Sequence, residues 1–412
     1  MVTLDILLGI PGVEIERTEI TMEGDLHIYV KSTVQGTHCH QCNELISKPH
    51  GYGREIKIQH LSIWGRRTFI IISPPRYICE ICDSEPTTTQ QGDWHDARSP
   101  HTRQYEKHIL ISLINSTVED VSIKESIGYE AVMGVIDRYI GKKIDWNLIK
   151  KLKGIGMDEI ALKKGHKDFV TLITNYEDEH VTILGVINGR KKEDVKSFLL
   201  SIPKHLRKQV KSVCSDMCDG FINAAKEVFG KKIRIIVGRF HVAKLYRKGL
   251  DQVRKKEMKR LKEEIPDKDY KRFKGVMWLL RKRECELKDE ERELLSDLFT
   301  LAPILGVAYA LCNELTAIFD SNISKAKAKR AIKSWKANVK RSGLSYFDTF
   351  ISTLNERMEE ITNYFIDRQN SGFVEGFNNR VKVVKRRCYG ILNPEHLFQR
   401  IFLDVEGYAL YA

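Results

Sequence analysis

Apolar and polar positions change period several times along the chain, and each change marks a new kind of element. Residues 1–95 carry short alternating stretches broken by Gly and Pro, with strand candidates at 54–58 and 68–73. From 105 to 115 the repeat becomes helical, with Tyr105, His108, Ile109, Ser112 and Leu113 on one side, and Ser116-Thr117 closes it. Residues 118–127 and, after a break at Gly128, 131–140 complete three short helices. Strand patterns follow at 155–162, 169–175 and 181–188, the last ending in the turn pair Asn188-Gly189. A helix is predicted over 191–202 from Val195, Phe198, Leu199 and Ile202, with Pro203 closing it. A strand at 210–215, a helix at 220–229 and a strand at 233–237 complete a β-β-β-α-β-α-β order. Residues 244–365 read as almost entirely helical, and the remainder as helix again.

These shifts divide the chain into 1–95, 96–150, 151–243, 244–365 and 366–412. A length of 412 residues agrees with several cores rather than one. The hydrophobic share of 42% is enough to fill them. Charge adds a statement about partners: 68 Lys and Arg against 55 Asp and Glu leave a formal +13. Such an excess favours a polyanion, and nucleic acid is the commonest. The opening residues lack a basic leader and include Asp5, and no apolar run nears the roughly 20 residues that span a bilayer. A soluble, intracellular (cytoplasmic) protein is expected.

Nine cysteines in such a compartment point to metal ligands and free thiols rather than disulfides. Cys39-His40-Gln41-Cys42 and Cys79-Glu80-Ile81-Cys82 are two CxxC knuckles separated by 36 residues. Each can give two thiolates to one tetrahedral ion, so together they predict a closed, structural Zn²⁺ site. A hairpin of the 54–58 and 68–73 strands is expected to bring the knuckles together. His38 and His40 are left outside the site. Cys214, Cys218, Cys285, Cys312 and Cys388 are read as packing residues. The three short helices after this module have the scale of a helix-turn-helix.

In the β-β-β-α-β-α-β segment, the order required by an RNase H-like sheet, Asp158 and Glu159 fall in the first strand and Asp216 just beyond the fourth. Carboxylates so placed can converge on one sheet edge, where two divalent ions clamp the attacking and leaving oxygens of a phosphoryl displacement. Adjacent strand residues face opposite sides, so Glu159 competes with Asp158 for that role. The third acid expected from a helix is Glu375. Asn378, Asn379 and Lys382 follow it at i+3, i+4 and i+7, and the basic run Lys382, Lys385, Arg386, Arg387 continues the helix. Asn379 and those four basic residues are candidate DNA contacts. Trp278 and Trp335 are read as core residues. The Lys- and Arg-rich start of the 244–365 segment is either a DNA surface or a solvated helix face.

Taken together these residues resemble the DDE insertion-sequence transposases of the ISL-three family, over most of the chain. The resemblance is carried by the paired knuckles, by Met157-Asp158-Glu159-Ile160-Ala161, by Ser215-Asp216-Met217, by Arg239-Phe240-His241-Val242, and by Val374-Glu375-Gly376-Phe377-Asn378-Asn379 with Tyr389-Gly390 downstream. It implies a multidomain α+β protein: a zinc-binding β module (1–95), a helix-turn-helix (96–150), and an RNase H-like catalytic core (151–243 and 366–412) interrupted by an all-helical insertion (244–365). The implied metal ligands are Asp158, Asp216 and Glu375, holding two Mg²⁺ or Mn²⁺ ions. His241 joins them as a catalytic candidate that either contacts the scissile phosphate or packs in the core. Implied partners are double-stranded DNA, as terminal inverted repeats and target, and further copies of the chain in a homodimer or larger assembly. One position departs: Gly238 stands where the family usually carries Asp. Besides a cut-and-paste transposase, the sequence therefore leaves open an impaired or domesticated copy acting as a DNA-binding regulator, and a structure-selective nuclease.

Overall fold

The computed structural model describes residues 8–97, 99–163, 167–177, 180–368 and 372–412, apart from the side chains of residues 167, 367, 372, 374 and 375. The chain forms two compact units, residues 1–140 with 403–412, and residues 141–402.

The first unit begins with nine strands: β1 (Val13–Ile20), β2 (Leu26–Ser32), β3 (Thr37–His38), β4 (Leu45–Ile46), β5 (Lys48–Tyr52), β6 (Ile56–Ile63), β7 (Arg66–Ile72), β8 (Pro75–Ile78) and β9 (Thr87–Thr89). A four-stranded sheet runs β1-β2-β7-β6, and smaller sheets pair β3-β4 and β5-β8-β9. Alternation in β2 and β7 turns Leu26, Ile28, Val30, Ile70 and Ile72 onto one apolar cluster with Ile58 and Trp94. The expected hairpin exists as β6-β7, but it belongs to the larger sheet. The knuckles are instead joined by the pairing of β5 with β8, in which Lys48 faces Ile78. The short β5, interrupted by Pro49 and Gly51 and exposed throughout, shows too little alternation to be read as a strand.

Three helices follow, α1 (Arg103–Leu113), α2 (Val118–Glu125) and α3 (Tyr129–Tyr139). Thr102 and Thr117 cap the first two, their hydroxyls accepting from the N–H groups of Tyr105 and Asp120. The residue read as ending one helix therefore starts the next. The buried Glu106 of α1 pairs with Arg138 of α3.

The second unit contains a five-stranded sheet of β10 (Gly154–Lys163), β11 (Lys167–Glu177), β12 (His180–Asn188), β13 (Ser212–Ser215) and β14 (Arg234–Val237), in the order β12-β11-β10-β13-β14. The first three strands are antiparallel neighbours, and β10, β13 and β14 run parallel. Helices α4 (Lys192–Ser201), α5 (Lys204–Arg207) and α6 (Asp219–Phe229) form the crossovers. Ile155, Met157 and Ile173 of the sheet pack with Val195, Leu199, Phe221 and Ile222 on the α4–α6 side. Gly185 is required there: a Cβ would sit 2.3 Å from the Phe198 ring of α4. β13 starts later than its sequence pattern suggests, because the Val210 and Lys211 amides bond to Arg207 (3.3 Å) and Lys153 (2.8 Å) in a turn.

The helical stretch comprises α7 (Arg239–Glu264), α8 (Asp267–Arg272), α9 (Val276–Leu279), α10 (Asp289–Leu301), α11 (Pro303–Asp320), α12 (Lys325–Ser342), α13 (Asp348–Glu356), α14 (Met358–Thr362) and α15 (Tyr364–Asp367). Trp335 is fully buried among them, its indole N–H donating to Leu311 at 2.8 Å. Trp278 is the correction: it is 62% exposed, with the Arg281 guanidinium 5.1 Å from its ring centre. The short α9 offers too few turns for its apolar residues all to face inward. Cys214 and Cys312 are buried packing residues as read, whereas Cys285 is exposed. Two helices end the chain, α16 (Gly372–Arg387) and α17 (Pro394–Tyr411). Among the described residues, no helix is long and apolar enough to cross a membrane.

Candidate active site and zinc centre

The four knuckle cysteines converge. Their sulfurs lie within 4.8 Å of one another, and Cys42 Sγ is 3.7 Å from Cys79 Sγ. Asn43 and Glu85, each one to three residues beyond a cysteine pair's last member, adopt positive φ (61° and 44°) and donate their N–H groups to Cys39 and Cys82 (2.9 Å each). Cys39 and Cys79 are buried. The Cys39 thiol is held down at about 6, chiefly by the Cys42 backbone N–H. The Cys82 thiol is pushed up to about 12, chiefly by the Cys42 sulfur. One thiolate so close makes the next costly, and a divalent cation removes that conflict. The donor set therefore fits one Zn²⁺. The histidines are occupied elsewhere: His38 Nδ1 lies 3.0 Å from the Asn43 carbonyl and His40 Nδ1 lies 3.0 Å from the Thr88 hydroxyl.

In the second unit, the parallel register sets Met157 opposite Ser215, and Ser215 opposite Val237. One residue further along stand Asp158, within β10, and Asp216 and Gly238, just past the ends of β13 and β14, which continues the row by one position. Asp158 is on the opposite sheet face from Met157. Its Oδ1 accepts the Glu159 N–H at 2.8 Å, and its Oδ2 accepts from Asn378 Nδ2 of α16. Burial raises the Asp158 carboxyl above its ordinary range. The Glu159 N–H and His241 pull it down, while Asp216 and Glu159 push it further up. Asp216 Oδ1 accepts from the Cys218 N–H at 3.0 Å, which fixes it at the mouth of α6. Glu159 lies on the other face and pairs with Arg190 at 3.3 Å. His241, in the first turn of α7, is half-buried and close enough to Asp158 to stabilise its charge.

Glu375 lies in α16, one turn before Asn378; its side chain is outside the described residues. The helix is fixed to the sheet at three points. Phe373 stacks on Tyr176 of β11 (ring centres 4.1 Å apart, 15° between planes), Asn378 reaches Asp158, and Lys385 Nζ donates to the Ala161 carbonyl at 2.5 Å. Asn379, Lys382 and Arg386 are exposed, whereas Lys385 and Arg387 are half-buried. Sequence reasoning put Asn378 on the Glu375 face but gave it no role, naming its neighbour Asn379 as a candidate DNA contact. Only the packed helix shows that Asn378, 4% exposed, is the one aimed at the acids.

Comparison with known proteins places this geometry. The family profile described as Transposase (DDE_Tnp_ISL3) matches residues 155–401. The profile described as zinc-finger of transposase IS204/IS1001/IS1096/IS1165 matches residues 35–82. The chain belongs to the ISL3 family of insertion-sequence transposases, enzymes that catalyse DNA cleavage and strand transfer. It is similar to the transposase for insertion sequence element IS1001 of Bordetella parapertussis, 26% identical over 98% of both chains. It is also similar to the transposase for insertion sequence element IS1557 of Mycobacterium tuberculosis, 20% identical over 84% of this chain and 80% of the relative.

Proposed function

We propose that the five-stranded sheet is an RNase H-like catalytic core whose Asp158, Asp216 and Glu375 hold two divalent metal ions, Mg²⁺ or Mn²⁺, and act on the ends of an insertion sequence. The observation that carries this reading is the register: Asp158 and Asp216 sit one residue beyond the paired Met157 and Ser215 on adjacent parallel strands. The helix bearing Glu375 is bonded directly to Asp158 through Asn378. The site suits hard cations, since it gathers carboxylates in a partly desolvated place where their charge needs a partner. Bound metal would supply Lewis-acid polarisation of the scissile phosphate and of the attacking oxygen. Asn378 orients Asp158, the Cys218 N–H orients Asp216, and His241 adds positive character or a hydrogen bond beside the phosphate.

On this reading the zinc module (1–95) and the helix-turn-helix (96–150) recognise terminal inverted repeats. The catalytic core spans 151–243 and 366–412, with 244–365 as a helical insertion. The exposed Asn379, Lys382 and Arg386 contact the DNA backbone, and pairing of two ends calls for a homodimer or larger assembly. The test is metal-dependent nicking of a duplex carrying the element's end. Asp216→Ala should lose strand cleavage by at least about a thousandfold while still binding the end, in line with removal of a metal ligand from a two-ion site. Wild-type cleavage by that protein would end the assignment.

A second reading, a DNA-binding regulator with reduced cutting, is favoured by Gly238, which leaves the third place in the row of Asp158 and Asp216 without a carboxylate. Gly238 is also the N-cap of α7 and gives it no side-chain cap. Gly238→Asp distinguishes the two: a large gain in nicking favours the impaired copy, and no gain favours an active site complete without it.

A further inference from the structure

A cavity of about 400 Å³ opens along α7, the helix that carries His241, within the second unit. We propose that it receives a single unstacked nucleotide of the DNA strand next to the scissile phosphate; the inference rests on the transposase reading above. Three observations point to that ligand class.

The first is chemical zoning. Leu250 and Leu280, both nearly buried, and Met277 make an apolar floor, while Lys244, Arg247, Lys248 and Arg281 line the remainder. The one acidic lining residue, Asp251, is already matched by Arg254 (2.7 Å) and Lys255 (3.0 Å). Lys244 and Lys248 have no carboxylate within ion-pair distance among the described residues, whereas the charge of Arg247 already acts on Glu286, so the two lysines are the cations most open to phosphate. An apolar floor under a cationic rim matches a base with its flanking phosphates, and suits neither a duplex surface nor a free anion.

The second is a pair of exposed aromatic rings. Phe240, in the lining, is 51% exposed, and Trp278, beside the lining residue Met277, is 62% exposed. Large rings left in water at a basic cavity offer stacking faces. Arg281 over the Trp278 ring adds a planar cation to that platform.

The third is location. Phe240 is the neighbour of His241, their ring centres 5.8 Å apart, in the first turn of α7 just past Gly238 and the end of β14. The residues Phe240, Ala243, Lys244, Arg247, Lys248 and Asp251 recur at helical spacing, so one stripe of α7 runs along the cavity from the first turn of the helix.

The experiment is a mismatch scan with the full-length, zinc-loaded protein in metal-free buffer that prevents cleavage. Duplexes carrying the element's end are given one mismatch at a time around the cleavage position, by changing only the opposite strand, and binding is followed by fluorescence anisotropy. Removing the cost of unpairing should tighten binding at least about tenfold at one position and at no other. That preference should fall to less than about twofold in the Phe240→Ala/Trp278→Ala protein, whose exposed rings are not needed by the core, and in Ala243→Trp, which fills the cavity. Uniform affinity across the scan in the wild type, or an unchanged preference in the double variant, would overturn the proposal. Absence of any wild-type complex with the end DNA would instead overturn the reading on which it rests.

Discussion

Replacing Asn378 by Leu tests the arrangement of the acids more sharply than removing an acid does. Asn378 is 4% exposed, donates through Nδ2 to Asp158 Oδ2, and buries its Oδ1 without a hydrogen-bond partner among the described residues. Leu keeps the branching at Cγ but is the larger side chain, so thermal melting is the check that the packing beneath α16 survives. What disappears is a hydrogen bond to a charged acceptor, worth about 1.5–3 kcal/mol. If the whole of that interaction orients Asp158 for metal and phosphate, nicking at limiting Mn²⁺ should fall about 10- to 150-fold, at 1.36 kcal/mol per decade. Stability should move less. Asp158 loses a donor, but the orphaned amide oxygen, itself a cost of about 1–3 kcal/mol, is removed too. The assay is nicking of end DNA across a Mn²⁺ titration, with thermal melting alongside. A positioning role predicts that the metal concentration for half-maximal activity rises and that excess metal restores part of the rate. Asn378→Asp should behave differently, adding a fourth carboxylate that competes for the cation. Should Asn378→Leu stay within twofold of wild type at limiting metal, Asn378 does not hold Asp158 in its working geometry, and the bond would be packing only.

Other outcomes follow from the same structure. Chains purified without added metal should carry about one zinc each, and Cys79→Ser/Cys82→Ser should carry none from this module; metal analysis showing undiminished zinc would contradict the four-thiolate assignment. Because burial raises the Asp158 carboxyl above its unfolded value, the group is protonated in both states well below the ordinary Asp range and costs nothing there. Above its raised value it is a charge held in a desolvated place, so it lowers stability at neutral pH. Asp158→Asn should therefore raise the melting temperature at pH 7, lose that gain as pH falls towards the ordinary Asp range, and abolish nicking; a lower melting temperature at pH 7 would refute the sign. Gly185→Val should destabilise the sheet by about 2–4 kcal/mol in denaturant melts, since its side chain would overlap the Phe198 ring.

The row of Asp158, Asp216 and Gly238 shows where sequence reasoning reaches and where it stops. Strand periodicity located β10 to β14 to within about two residues, because each is buried on at least one face and carries β-branched Val, Ile or Thr residues. From those positions the acids near the strand ends could be named without a partner in view. Register could not be read in the same way. Nothing in the spacing of residues 157, 215 and 237 says that they stand abreast, since that depends on the crossovers through α4 to α6 packing Phe221 and Ile222 against Val195 and Leu199. The same limit separates Asn378 from Asn379, which differ by 100° around one helix and are ranked only by what α16 packs upon. It also separates Trp335, in the middle of an 18-residue amphipathic helix, from Trp278, on four residues with no inward stripe to join. Register gives the departure at Gly238 a physical meaning that motif comparison alone lacks. The missing carboxylate would have stood in the same row as the two present acids, at the N-terminus of the helix that carries both His241 and the basic stripe. Its absence leaves less negative charge at the N-terminus of α7, the helix whose basic stripe is proposed above to meet the DNA. A protein so altered should bind its ends at least as tightly as one carrying Asp there, whatever happens to its rate of cutting.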